Sequence, residues 1–210
     1  MAERKGDEII RLIFVRHGQT HANALGMCAG TMDDTVAHLN NEGVRQAKRA
    51  AELLKHTKID MIYCSNLTRA VQTATEIRYF HTDVPMTKTA MFRERSHGAF
   101  EGRVLRGEEE AAYHTARYNI GTTPAGGEQL EDAYDRIYDE LSRIVAAHKD
   151  ETVLIVAHSG VGKILTAIIN HIRITDILTK VKAPNNAEPM EFELQELKYM
   201  GARTYKSSKR

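Results

Sequence analysis

No charge of one sign dominates this chain: 29 Lys and Arg stand against 28 Asp and Glu in 210 residues, a formal net charge of +1. The balance offers no global pull on nucleic acid or an anionic membrane, so affinity for an anion has to come from a local cluster. Cysteine is scarce. Cys28 and Cys64 make neither a metal-type spacing nor a disulfide framework, which fits a reduced, intracellular setting. No stretch approaches the ~20 apolar residues of a membrane span. Residues 1–8 are too charged for a secretory signal. Repeats, low-complexity segments and linkers are lacking too. The expectation is a flexible segment over 1–8, a single domain over 9–200 and a basic tail over 201–210. A cytoplasmic location follows by default, with no nucleic-acid or membrane partner; a homo-oligomer is compatible with the sequence but not legible in it.

What is present is an alternation of periods. Ile9-Ile10-Arg11-Leu12-Ile13-Phe14-Val15 is a β-branched apolar run that reads as a buried central strand. Residues 59–64 and 152–157 read the same way. Residues 84–87 suggest a short edge strand, because Pro85 removes a ladder donor. Glu191-Phe192-Glu193-Leu194-Gln195 alternates with period two, as a late strand with one wet face would. Between the strands lie helical patterns. Asn40 caps one running through Ala47, Ala51 and Leu54, and Ser65 or Asn66 caps another through Leu67, Ala70, Ala74 and Ile77. Others span about residues 108–118 and 130–145, and one follows His158. The pattern predicts an α/β protein, a three-layer sandwich with a mostly parallel central sheet and helices on both faces.

Two of the buried strands deliver a histidine at their carboxyl ends: Val15-Arg16-His17-Gly18 and Val156-Ala157-His158-Ser159-Gly160. A lone strand-end histidine is commonly structural. In a parallel sheet, however, both ends lie on the edge where open α/β sheets bind ligands, and the pair points to a shared site. Gly18 permits close backbone approach. Ser159 and Gly160 open a helix whose free N–H groups suit an anion, and the fork of Arg16 suits phosphate oxygens.

Arg16-His17-Gly18-Gln19-Thr20 resembles the R-H-G-[EQ]-T signature of the histidine phosphatase superfamily, the group that includes cofactor-dependent phosphoglycerate mutases and fructose-2,6-bisphosphatases. Further segments follow in family order. Asn23 sits where the motif often continues with Asn, and Gly30, Asp33, Leu39, Gly43, Gln46 and Ala47 resemble G-x-x-D-x-x-L-x-x-x-G-x-x-Q-A. Ser65 to Ala74 resembles the S-x-L-x-R-A-x-Q-T-A helix. Glu94, Gly98, Glu101 and Gly102 resemble E-x-x-x-G-x-x-E-G, and Gly126-Gly127-Glu128 the G-G-E segment. The likeness covers about residues 9–197.

The resemblance implies hydrolysis of a phosphomonoester of a small metabolite through a phosphohistidine on His17, without cofactor or metal. Arg16, Arg69 and His158 would surround the transferring oxygens, and Ser159 and Gln19 would add phosphate contacts. Asn23 suits a phosphate contact and a helix cap equally. Glu94 would be the general acid, its carboxyl raised by burial or by the phosphate. Glu101 matches a structural Glu-Gly. Arg93, Arg95, Arg103 and Arg106 crowd one loop, where a second anionic group or simple solvation would account for them. His97, His114, His148 and His171 take no assigned role. The segment between Gly102 and Gly126 is shorter than the cover of phosphoglycerate mutases, which favours water access and hydrolysis. Gln129 departs from the family's Ser. Mutase-type phosphotransfer and a non-catalytic phospho-ligand module are the alternatives.

Overall fold

The computed structural model describes residues 9–118, 120–195 and 197–201. The expected flexible segment at 1–8 and the basic tail from 202 onward lie outside them. Five strands form one sheet: β1 (Ile10–Arg16), β2 (Met61–Ser65), β3 (Met86–Thr89), β4 (Thr152–Ala157) and β5 (Pro189–Leu194), in the order β3-β2-β4-β1-β5. All pairings are parallel except β1 with β5. The helices are α1 (His21–Ala24), α2 (Asn41–Leu54), α3 (Thr68–Arg78), α4 (Glu108–Tyr118), α5 (Leu130–Ala147), α6 (Ser159–Ile169) and α7 (Ile177–Lys180).

The alternation along β1 explains the two-sided core. Leu12 and Phe14 pack with Val153 and Ile155 of β4 against α5 and α6. Ile13 and Val15 pack with Leu154 and Val156 against α2 and α3. Both faces are covered, so the central strands carry unbroken apolar runs, as a parallel sheet requires. The late strand has its wet face, with Glu191 and Glu193 exposed beside buried Leu194. At the opposite edge the short strand begins two residues later than expected, because Pro85 contributes only its carbonyl, to Ile62 N.

Capping follows the sequence at α2, where Asn40 Oδ1 accepts from Gly43 N at 2.8 Å, and departs from it at α3. There Leu67 is the N-cap residue and makes no side-chain cap. Asp33 from a distant loop takes that place, accepting from Thr68 N at 2.7 Å. Ser65 Oγ accepts instead from Leu67 N at 3.2 Å, ahead of the helix.

The turn that presents His17 depends on two glycines. A Cβ on Gly18 would overlap the Gly43 carbonyl, and one on Gly43 would overlap the Gln19 carbonyl. Backbone, unlike the tip of a side chain, cannot yield cheaply. Gly43→Ala is expected to destabilise the protein by about 1–3 kcal/mol, read as a lower denaturant midpoint at unchanged slope. An unchanged midpoint would show that the α2 N-terminus moves freely against this turn.

Candidate active site

Adjacent β1 and β4 run parallel with Arg16 in register with Ala157. The next residues, His17 and His158, therefore leave the sheet side by side, their ring centroids 5.2 Å apart. Both are buried. His17 Nδ1 lies 2.7 Å from its neighbour's carbonyl, Gly18 O. A carbonyl only accepts, so Nδ1 carries the proton and Nε2 keeps its lone pair. Burial, then the guanidinium groups of Arg69 and Arg16, hold this imidazole well below its ordinary range. It is neutral at pH 7, the form that can act as a nucleophile.

His158 is tied at both nitrogens. Arg69 Nε, which can only donate, points to Nδ1 at 3.2 Å, and Nε2 lies 2.8 Å from Ser65 Oγ. Nε2 therefore carries the proton and donates to Ser65. Burial and Arg69 also depress this histidine. Arg69 spends its two terminal nitrogens on the carbonyls of Met32 and Gly30, each at 2.7 Å. Three of the five donors of a guanidinium are thus engaged and two remain. Arg16 Nη1 donates to Pro184 O at 3.0 Å, while its buried Nε has no protein partner among the described residues. These are the N–H groups an oxyanion beside His17 would satisfy.

Glu94 reaches the same place from the loop after β3. Its Oε2 accepts from Gly160 N at 2.9 Å and its Oε1 from Arg95 N at 3.0 Å. The helix N-terminus expected to bind a substrate anion is thus already engaged, by a carboxylate. A Cβ on Gly160 would overlap Glu94 Oε1 and push the carboxylate from this place. Burial pushes the Glu94 carboxyl up, but Arg117, His97 and the two backbone N–H groups outweigh it and bring it down to about 2. The expected upward shift from burial is therefore overruled: without a bound anion, Glu94 is a carboxylate.

Other expected site residues divide. Ser159 and Asn23 line a cavity of about 240 Å³ together with Arg16, His17, Arg69 and Glu94. Asn23 Oδ1 accepts from Thr20 N and Asn23 N donates to Thr20 Oγ1, a capping box on α1; only its amide NH2 is left for a ligand. Gln19 is outside the lining, its Oε1 accepting from Asn40 Nδ2 at 2.9 Å, so its place is in the framework under the turn. Glu101 is structural as expected, receiving Thr31 N and His97 N. The arginine loop does not supply a second anion site in this cavity: Arg103 pairs with Glu109, Arg106 is exposed, and neither they nor Arg93 and Arg95 line it.

The cover comes instead from α4, through Glu110, Tyr113, His114 and Arg117. Their spacing puts all four on one face of the helix, a signal present in the sequence beneath the charge run. His97 also lines the cavity and is buried, with Nδ1 lacking a protein partner among the described residues. Burial, then Arg117, depress it to about 3. Nothing in its sequence setting marked it. Among the described residues no group of three His, Cys, Asp or Glu side chains is placed to hold a metal ion, and no helix is long and apolar enough to cross a membrane.

Residues 12–197 match the model of the histidine phosphatase superfamily (branch 1). The chain is 36% identical over 157 residues to phosphoglycerate mutase-like protein 4 of Arabidopsis thaliana, covering 71% of this chain and 66% of that one. It is 31% identical over 189 residues to the metal-independent phosphoserine phosphatase of the same plant, covering 80% and 78%. A mycobacterial glucosyl-3-phosphoglycerate phosphatase, solved as a complex with VO3, superposes with a TM-score of 0.75 at 27% identity, over 86% of this chain and 91% of that one.

Proposed function

Because the chain belongs to the histidine phosphatase superfamily, we propose that it hydrolyses a phosphomonoester of a small metabolite through a phosphohistidine on His17, with Glu94 as general acid. The observation that carries this reading is the state of His17: buried, neutral, fixed at Nδ1 by Gly18 O and lining the cavity. Nε2 attacks phosphorus while the bond to the ester oxygen breaks, and Glu94 gives that oxygen its proton. Water then attacks the phosphohistidine and returns a proton to Glu94, so the cycle closes on alcohol and inorganic phosphate. Arg16 and the two spare donors of Arg69 meet the equatorial oxygens. In this geometry His158 works through Arg69, which it orients from Nδ1.

Hydrolysis is favoured over return of the phosphoryl group by the nature of the cover. It is a single 11-residue helix, of whose described side chains only Tyr113 is buried, so little apolar packing resists water. The test is phosphate release from sugar phosphates, glycerates, nucleotides and phosphopeptides, with and without a bisphosphate primer. Release without primer supports the phosphatase; turnover only with primer would replace it by a mutase. Vanadate is expected to inhibit competitively and more tightly than phosphate or sulfate, because a five-coordinate oxyanion resembles the transferring group. Equal inhibition by all three would indicate a plain anion site.

A further inference from the structure

Glu94 has open space on two sides. Behind it lies a second cavity of about 20 Å³, lined also by Arg95, Lys163, Leu130 and Ile164. The residues common to both linings are Glu94, His97 and Arg117. They form the partition between the reaction cavity and the core. Glu94 and His97 share a loop, but Arg117 comes from the cover helix, and its placement is specific. Arg117 Nη1 donates to Tyr113 Oη at 2.7 Å, and its guanidinium carbon lies 5.4 Å from the centre of the Tyr113 ring. Its carbonyl accepts from the side chain of Arg95.

We propose that Arg117 is a positioning residue for the reaction: the cover helix brings its charge to the partition, where it decides when Glu94 holds the proton. This rests on Glu94 being the general acid. The groups facing Glu94 are Arg16 and His17 from the end of β1, Arg69 from α3, Gly160 N–H and Lys163 from α6, and Cys28 and Tyr113 beside Arg117. Arg95, with its N–H and its guanidinium, and His97 belong to its own loop. His17, His97 and Tyr113 are neutral, since burial depresses the histidines and raises the tyrosine; burial also raises the Cys28 thiol, keeping it neutral. A phosphate dianion bound against Arg16 and Arg69 neutralises their charges. Of the cations Arg95, Arg117 and Lys163 that line the cavity behind Glu94, Arg117 is the one that also lines the reaction cavity, and it opposes the protonation that the dianion favours. The carboxyl is thereby poised to give its proton to the leaving oxygen and to take one back from water.

The experiment is the pH dependence of kcat on an alkyl phosphate, for wild type, Arg117→Gln, Arg117→Lys and Glu94→Gln. Loss of the opposing charge lets Glu94 keep its proton to higher pH. The alkaline limb should therefore move up by about 1–2 pH units in Arg117→Gln, the scale of one charge at about 6 Å, and return most of the way in Arg117→Lys. A limb that Glu94→Gln abolishes but Arg117→Gln leaves in place overturns this inference alone. A limb that survives Glu94→Gln overturns both it and the acid role. A carboxyl ¹³C titration of the phosphate-bound protein, assigned with Glu94→Gln, reads the same shift without turnover; an unmoved Glu94 signal in Arg117→Gln would equally sink the idea.

Discussion

Replacing His17 with alanine is expected to lower phosphate release by about 10⁴-fold or more, the scale seen when a covalent nucleophile is removed. The loss should fall on kcat for every substrate, because no other described imidazole has the same arrangement. His158 lies 5.2 Å away, but its Nδ1 receives Arg69 and its Nε2 donates to Ser65. It cannot substitute without breaking two buried contacts. Anion binding should survive, since Arg16 and Arg69 are untouched, and vanadate or phosphate should still bind His17→Ala in calorimetry. A phosphohistidine is acid-labile, so under the proposed mechanism a quench at alkaline pH should trap phosphate on wild-type His17 and not on the variant. Near-normal turnover by His17→Ala would dispose of the covalent route.

Glu94→Gln should divide substrates by leaving group. An alkyl phosphate departs as a basic alkoxide and needs the proton, so its rate of His17 phosphorylation should fall by about 10²–10⁴. A nitrophenyl phosphate needs little help and should lose far less. The resting carboxyl stands at about 2, too low for an acid at pH 7, and bound substrate has to supply the difference. At about 5 Å and an effective dielectric near 20, the two charges of a phosphate dianion amount to roughly 7 kcal/mol, or about 5 pH units. That brings Glu94 close to neutrality only while substrate is bound. The sign follows: the acid form is lost as pH rises through the raised value, so kcat for alkyl phosphates should fall on the alkaline side, and Glu94→Gln should remove that fall. Single-turnover measurement separates this from a structural effect. Equal losses for both esters would leave Glu94 only as the cap that holds Gly160 and Arg95.

The strand-end histidines were legible because a buried parallel sheet leaves a strong local signature: apolar runs on both faces, then an abrupt charged or small residue where the strand meets the ligand edge. The helix near 108–118 was legible too, although its purpose was not. Arg117 reads as one cation in a polar helix until the helix is laid over the cavity. His97 lies between Ser96 and Gly98 with no periodic neighbour, and its importance is entirely a matter of what surrounds it.

By itself the amino-acid sequence determined the layered sheet, the order of its elements, and the meeting of Arg16, His17 and His158 at one edge; Arg69 and Glu94 joined them through the family resemblance. The first three follow from local periodicity, which acts over a few residues at a time. Only the tertiary structure decided the protonation states and hydrogen-bond assignments. Glu94 is a carboxylate because Arg117 and the N-terminus of α6 converge on it across 23 and 66 positions of chain. Ser65 receives both Leu67 N and His158, while Asp33 caps the first turn of α3 in its place. Electrostatic energy depends on distance in space and on burial, and neither is a local property of the chain.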